Sequence, residues 1–135
     1  MRIRLQTAEK RRRKSILLID DDKGVRSAIS QALRKSDYDL LEAASPDAAA
    51  TIWSDRQHEI DLILLDVLLP GLSGPELASE MLAQSSKAPI IYITGVGKES
   101  LGKFRLPDNA RLLTKPFAVS ELRQLVASAL SEAEE

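Results

Sequence analysis

The chain has 135 residues, 44% of them hydrophobic and 29% charged, with a formal net charge of −1 and no cysteine. That length and balance suit one soluble globular domain with a substantial core. They exclude a disulfide framework and thiolate chemistry, and no apolar run reaches the length of a membrane-spanning helix.

Charge is unevenly spread, with a net of +6 over residues 1–14 and −7 over the rest. The run EKRRRKS suits an acidic partner. It lacks interleaved aromatics to stack on bases, which argues against nucleic acid, so residues 1–14 read as a solvated, flexible extension. No signal-peptide apolar stretch opens the chain, and a cytoplasmic location without membrane contact is expected.

From residue 15 onward, short apolar runs alternate with helical patterns. Ile16–Ile19 is a continuous apolar run of strand length, and Val25, Ile29, Ala32 and Leu33 follow at helical spacing. DLLEA (39–43) reads as a weaker strand. Ser45 and Pro46 read as cap and first residue of a helix through Trp53. IDLILLD (60–66) is the strongest strand signal and runs into LPGLSGPEL, a loop rich in turn formers, with a helix from about Pro75 to Gln84. APIIYITG (88–95) reads as a fourth strand, and the glycine- and proline-broken stretch after it predicts a fourth helix that is short or missing. RLLTKPF (111–117) reads as a fifth strand, and Ser120 as the cap of a last helix carrying Leu122, Leu125, Val126 and Leu130 on one face. Five strands alternating with helices specify an α/β domain over 15–132 with a parallel sheet, followed by a 133–135 tail. Strands that are apolar throughout are expected where helices cover both faces.

In such sheets ligands bind beyond the carboxyl ends of the strands. Asp20, Asp21 and Asp22 end the first strand, Asp66 the third and Thr94 the fourth, and Lys115 follows the fifth. Acids gathered at one edge need a cation among them. Oxygen ligands without histidine or cysteine suit a hard ion, and octahedral Mg²⁺ is the natural choice. A metal ion held by acids beside a lysine is also how proteins manage phosphoryl groups. Taken alone, an aspartate run before a helix is equally an N-terminal cap favoured by the helix dipole.

The segments LLIDDD, LILLDVLLPGLSG, IIYITG and LLTKPF, in this order and spacing, resemble the receiver domain of two-component response regulators over about residues 15–132. The resemblance implies a doubly wound, flavodoxin-like fold with strand order 2-1-3-4-5. It implies that Asp66 is the phosphoacceptor, attacking a phosphohistidine on a histidine kinase or phosphotransfer protein. Asp21 becomes a direct Mg²⁺ ligand and Asp20 a supporting acid acting through water. Asp66 and the backbone carbonyl of Leu68 complete the metal's protein ligands. Thr94 and Lys115 take the phosphoryl oxygens, and the Lys115–Pro116 bond is expected to be cis. Asp22 has no role by this resemblance beyond capping the first helix.

Two departures matter. Receivers usually carry an aromatic residue three positions before the lysine, where this chain has Leu112, so the usual aromatic switch cannot operate. The poor helical signal after Thr94 implies readout through a loop. Leu68 and Val96 flank the expected phosphoryl position, and neither can orient an attacking water, which implies slow self-dephosphorylation. GVGKES (95–100) fails the Walker spacing because Tyr92 stands where a glycine is needed. His58 reads as an exposed bystander and Trp53 as core.

The alternatives are a pseudo-receiver that binds partners without phosphorylation, and a haloacid-dehalogenase-type phosphatase built on the Asp20-x-Asp22 pair. Against the phosphatase, Gly24 stands where that family wants threonine or valine. The expected product is therefore a signalling domain and not an enzyme. It is expected to act by docking on a downstream protein, as a single-domain regulator or a piece of a longer chain, with self-association into a homodimer left open.

Overall fold

The computed structural model describes residues 13–71, 73–82, 88–95, 106 and 110–134. In chain order these form β1 (Ser15–Ile19), α1 (Lys23–Arg34), β2 (Asp39–Ala43), α2 (Pro46–Arg56), a 3₁₀ turn (Gln57–Glu59), β3 (Leu62–Asp66), α3 (Gly74–Leu82), β4 (Ile90–Thr94), β5 (Arg111–Thr114) and α4 (Val119–Glu134). The expected short or missing helix between β4 and β5 falls on 96–105 and 107–109, outside the described residues, as does Val96.

The strands make one parallel sheet in the order β2-β1-β3-β4-β5, as the resemblance implied. Side chains alternate across it. Leu18, Leu64, Ile91, Ile93 and Leu113 pack with Ile29 and Leu33 of α1 and Leu122 and Val126 of α4. Leu17, Ile19, Ile63, Leu65 and Tyr92 pack on the other face with Trp53 of α2 and Leu77 and Met81 of α3. Both faces are covered, which is why β1 and β3 are apolar at every interior position. Trp53 also ties α2 to α3, its indole Nε1 donating to the Met81 carbonyl at 3.0 Å.

Local signals explain most boundaries. Ser45 caps α2 by accepting the Ala48 N–H at 3.1 Å, and α2 runs three residues past Trp53 to Arg56. Four expectations need correction. β4 spans Ile90–Thr94 and not 88–95, since Pro89 has no N–H to bring to the ladder. β3 begins at Leu62, because Asp61 turns its carboxylate onto the Ser15 N–H at 2.8 Å. β5 ends at Thr114 and not Phe117, since Pro116 has no N–H to continue the ladder; the Lys115–Pro116 bond is cis. Ser120 does not cap the last helix. α4 begins at Val119, and Glu121 reaches back to accept the Ala118 N–H at 3.2 Å.

Candidate functional site

The strand order sets β1 beside β3, with Ile19 in register with Leu65, so the residues that follow them meet at one edge. Asp20 is buried, and its polar groups are tied down almost completely. Its N–H donates to the Ala43 carbonyl at 3.1 Å, extending the β1–β2 ladder by one bond. Its Oδ1 accepts the Asp22 N–H at 2.9 Å. Its carbonyl accepts from Arg26 Nη1 at 2.8 Å. Only Oδ2 is buried without a hydrogen bond, and Lys115 Nζ stands 3.5 Å from it.

Asp66, the last residue of β3, is 5% exposed. Its Oδ1 accepts the Leu68 N–H at 2.9 Å, and its Oδ2 lies 3.4 Å from Lys115 Nζ. Burial pushes the Asp66 carboxyl above its ordinary value of 3.8, and the Asp20 charge adds to this; the Leu68 N–H and Lys115 pull it down without overcoming them. Burial pulls the Lys115 ammonium down, but Asp66 and Asp20 outweigh it and hold the group above its ordinary 10.5.

Carboxylate oxygens of Asp20, Asp21 and Asp66 lie within 4.8 Å of one another, with Asp21 exposed and the other two buried. Among the described residues one ammonium, that of Lys115, serves this group, so negative charge remains in excess. An orphaned buried oxygen and an all-oxygen donor set fit a hard divalent cation. Asp22 is not a member of this cluster. Its Oδ1 accepts the Val25 N–H at 3.1 Å as the cap of α1, so one oxygen of Asp22 is committed to the helix.

Thr94 closes β4 in register with Thr114 and is 1% exposed; its carbonyl accepts the Lys115 N–H at 2.7 Å. Leu68 is a half-exposed apolar residue beside Asp66, at 51% exposure. Leu112 is exposed at the surface of the edge strand, and His58 is exposed in the 3₁₀ turn.

Two contributors escaped the sequence reading. A Cβ on Gly74 would lie 2.3 Å from the Asp66 carbonyl oxygen, so α3 can start against β3 only with glycine there. The Gly-Pro step in a turn-rich loop was the available signal. The other is Arg26, whose contacts join α1 to the β1 end and to Glu42 of β2 at 3.5 Å. No local pattern marks that link.

Residues 16–127 match the family model described as the response regulator receiver domain. The chain belongs to this family. The phosphate regulon transcriptional regulatory protein PhoB of Pseudomonas aeruginosa is 39% identical over 112 residues, covering 81% of this chain and 48% of PhoB. The sensor kinase CckA of Brucella abortus is 29% identical over 120 residues, covering 87% of this chain and 13% of that protein. Among solved structures, the receiver domain of the hybrid histidine kinase CckA is 30% identical, covers 86% of this chain and 98% of its own, and superposes with a TM-score of 0.74. The receiver thus spans about half or less of these curated relatives. Receivers are signalling domains of two-component systems and not enzymes of the ordinary kind. Among the described residues no helix is long and apolar enough to cross a membrane.

Proposed function

We propose that this receiver takes a phosphoryl group from a histidine kinase or phosphotransfer protein onto Asp66, with Mg²⁺, in the cytoplasm, and signals by docking on another protein. The observation that carries the reading is Asp66 Oδ2 at 3.4 Å from Lys115 Nζ, beside two further carboxylates at the ends of neighbouring strands. The likeness to the receiver of a hybrid histidine kinase supports the choice of donor.

In the transfer step a carboxylate oxygen of Asp66 attacks phosphorus. The P–N bond to the donor imidazole breaks, and the imidazole keeps the electron pair and takes up a proton. The Leu68 N–H holds Oδ1, fixing the plane of the attacking carboxylate. Among the described residues Lys115 is the one cation shared by Asp66 and Asp20, and it is placed to follow a phosphoryl oxygen once Asp66 carries the acyl phosphate. Thr94 offers a hydroxyl from the next strand. Asp20, Asp21, Asp66 and the Leu68 carbonyl would hold Mg²⁺, which when bound offsets the charge on the phosphoryl oxygens. Leu68 is apolar and cannot orient a water for attack, so the aspartyl phosphate is expected to decay slowly. With Leu112 in place of an aromatic, its readout is assigned to the segment that follows Thr94.

Intact mass after incubation with acetyl phosphate tests this. A single phosphoryl adduct is expected on the wild-type chain with Mg²⁺, and none with chelator or in Asp66→Ala. An adduct that persists in Asp66→Ala contradicts the reading. So does a folded wild-type chain that forms no adduct and binds no beryllofluoride.

A further inference from the structure

Arg26 sits in the first turn of α1, at the positive end of the helix dipole, where a cation is disfavoured. Its side chain is nevertheless only 17% exposed, so something else holds it there. One contact is the Asp20 carbonyl, to which Nη1 donates at 2.8 Å. The other is Glu42, whose Oε1 lies 3.5 Å from Nε. Glu42 is itself fixed from the far side, its Oε2 accepting from Ser30 Oγ at 3.2 Å and lying 3.4 Å from Arg34 Nη2. Ser30 in turn accepts from Arg34 Nε at 3.0 Å. This polar chain ends on the peptide that joins Asp20 to Asp21.

We infer that Arg26, anchored by Glu42, is a positioning residue for the metal site. By holding the Asp20 carbonyl it fixes the backbone from which both carboxylates project, and so raises the affinity for Mg²⁺. The inference rests on the Mg²⁺ reading above. Two effects of Arg26 oppose each other and make its sign informative. Its charge repels a divalent cation, so electrostatics alone would have its removal tighten binding. Its hydrogen bond orders the ligands, so loss of positioning would weaken binding. The geometry favours the second, because the guanidinium is turned onto Glu42 and donates directly to the Asp20 carbonyl at 2.8 Å.

The test is the Mg²⁺ dissociation constant of the full chain by titration calorimetry, with urea unfolding in chelator to confirm each fold. Arg26→Met is expected to weaken Mg²⁺ roughly tenfold or more. Arg26→Lys keeps the charge without the fork that spans two partners, and should restore only part of the loss. Glu42→Gln should weaken binding less than Arg26→Met, and the double variant no more than Arg26→Met alone. If Arg26→Met does not fold, Arg26→Lys and Glu42→Gln carry the test, each expected to bind more weakly than wild type. Unchanged or tighter binding in the folded variants overturns the inference. Asp21→Asn separates the two claims. If it loses Mg²⁺ while the Arg26 variants keep it, only the positioning role falls. If Asp21→Asn or Asp20→Asn binds as wild type, or wild type binds nothing, the metal reading falls and this role with it.

Discussion

At the N-terminal end of the sheet, Asp61 gives its carboxylate to the backbone, accepting the Ser15 N–H at 2.8 Å, while its own N–H donates to the Ser15 carbonyl at 2.8 Å. At the C-terminal end, Asp20 and Asp66 each give one oxygen to a backbone N–H and hold the other against a single shared lysine. Asp20 Oδ2 is left without a hydrogen bond. The same residue type, at strand ends a few residues apart, finishes structure at one edge and leaves charge uncompensated at the other. An uncompensated buried carboxylate weakens the fold, so it persists where a ligand answers it.

Four changes break or sharpen that contrast. The largest is Gly74→Ala, which drives a Cβ to 2.3 Å from the Asp66 carbonyl and 3.0 Å from the Val67 Cα, both backbone atoms that cannot rotate away. It should cost roughly 3 kcal/mol in urea unfolding, and an unchanged midpoint would show that α3 does not close on the site as described. Next, Mg²⁺ at a hundred times its dissociation constant should stabilise the chain by about 2.7 kcal/mol. That gain should vanish in Asp21→Asn; a gain that survives would place the ion elsewhere.

Asp61→Ala removes a charged acceptor at the structural end and should cost about 1–2 kcal/mol by the same unfolding measurement. It should leave the Mg²⁺ response intact, and a lost response would dissolve the distinction between the two ends. The smallest effect is on pH dependence in chelator. The folded Asp66 carboxyl holds its proton to a higher pH than the unfolded one at 3.8. Stability contributed by the protonated form is therefore lost as pH rises from 3.8 through the raised value, and Asp66→Asn should flatten that part of the curve. Equal slopes for variant and wild type would mean that Asp66 is not strained by burial.

Much of this was legible in sequence because the physics was local. Apolar runs such as Ile16–Ile19 and Leu62–Leu65 need two covered faces, and that requirement alone points to a parallel sheet. Three adjacent aspartates at a strand end have no folding purpose beyond one cap. Asp22 serves as that cap, and Asp20 and Asp21 remain for other work. What escaped was settled by distant partners. Asp61 looked like a strand residue until Ser15, 46 positions away, took its carboxylate. Glu121, not Ser120, satisfies the N-terminus of α4, a choice between two adjacent capping schemes with similar sequence signatures. Arg26 has a helical surface pattern, and only the packing of α1 over the β1–β2 edge brings it to Asp20 and Glu42.

The most direct test of the central contrast is the unfolding free energy of wild type and Asp66→Asn at neutral pH, measured in chelator and again in saturating Mg²⁺. The variant should be the more stable protein in chelator, where it removes a buried charge set against Asp20, and the less stable one in Mg²⁺, where it removes a ligand. The same order of stability under both conditions would contradict the claim that this edge of the sheet is built around a cation.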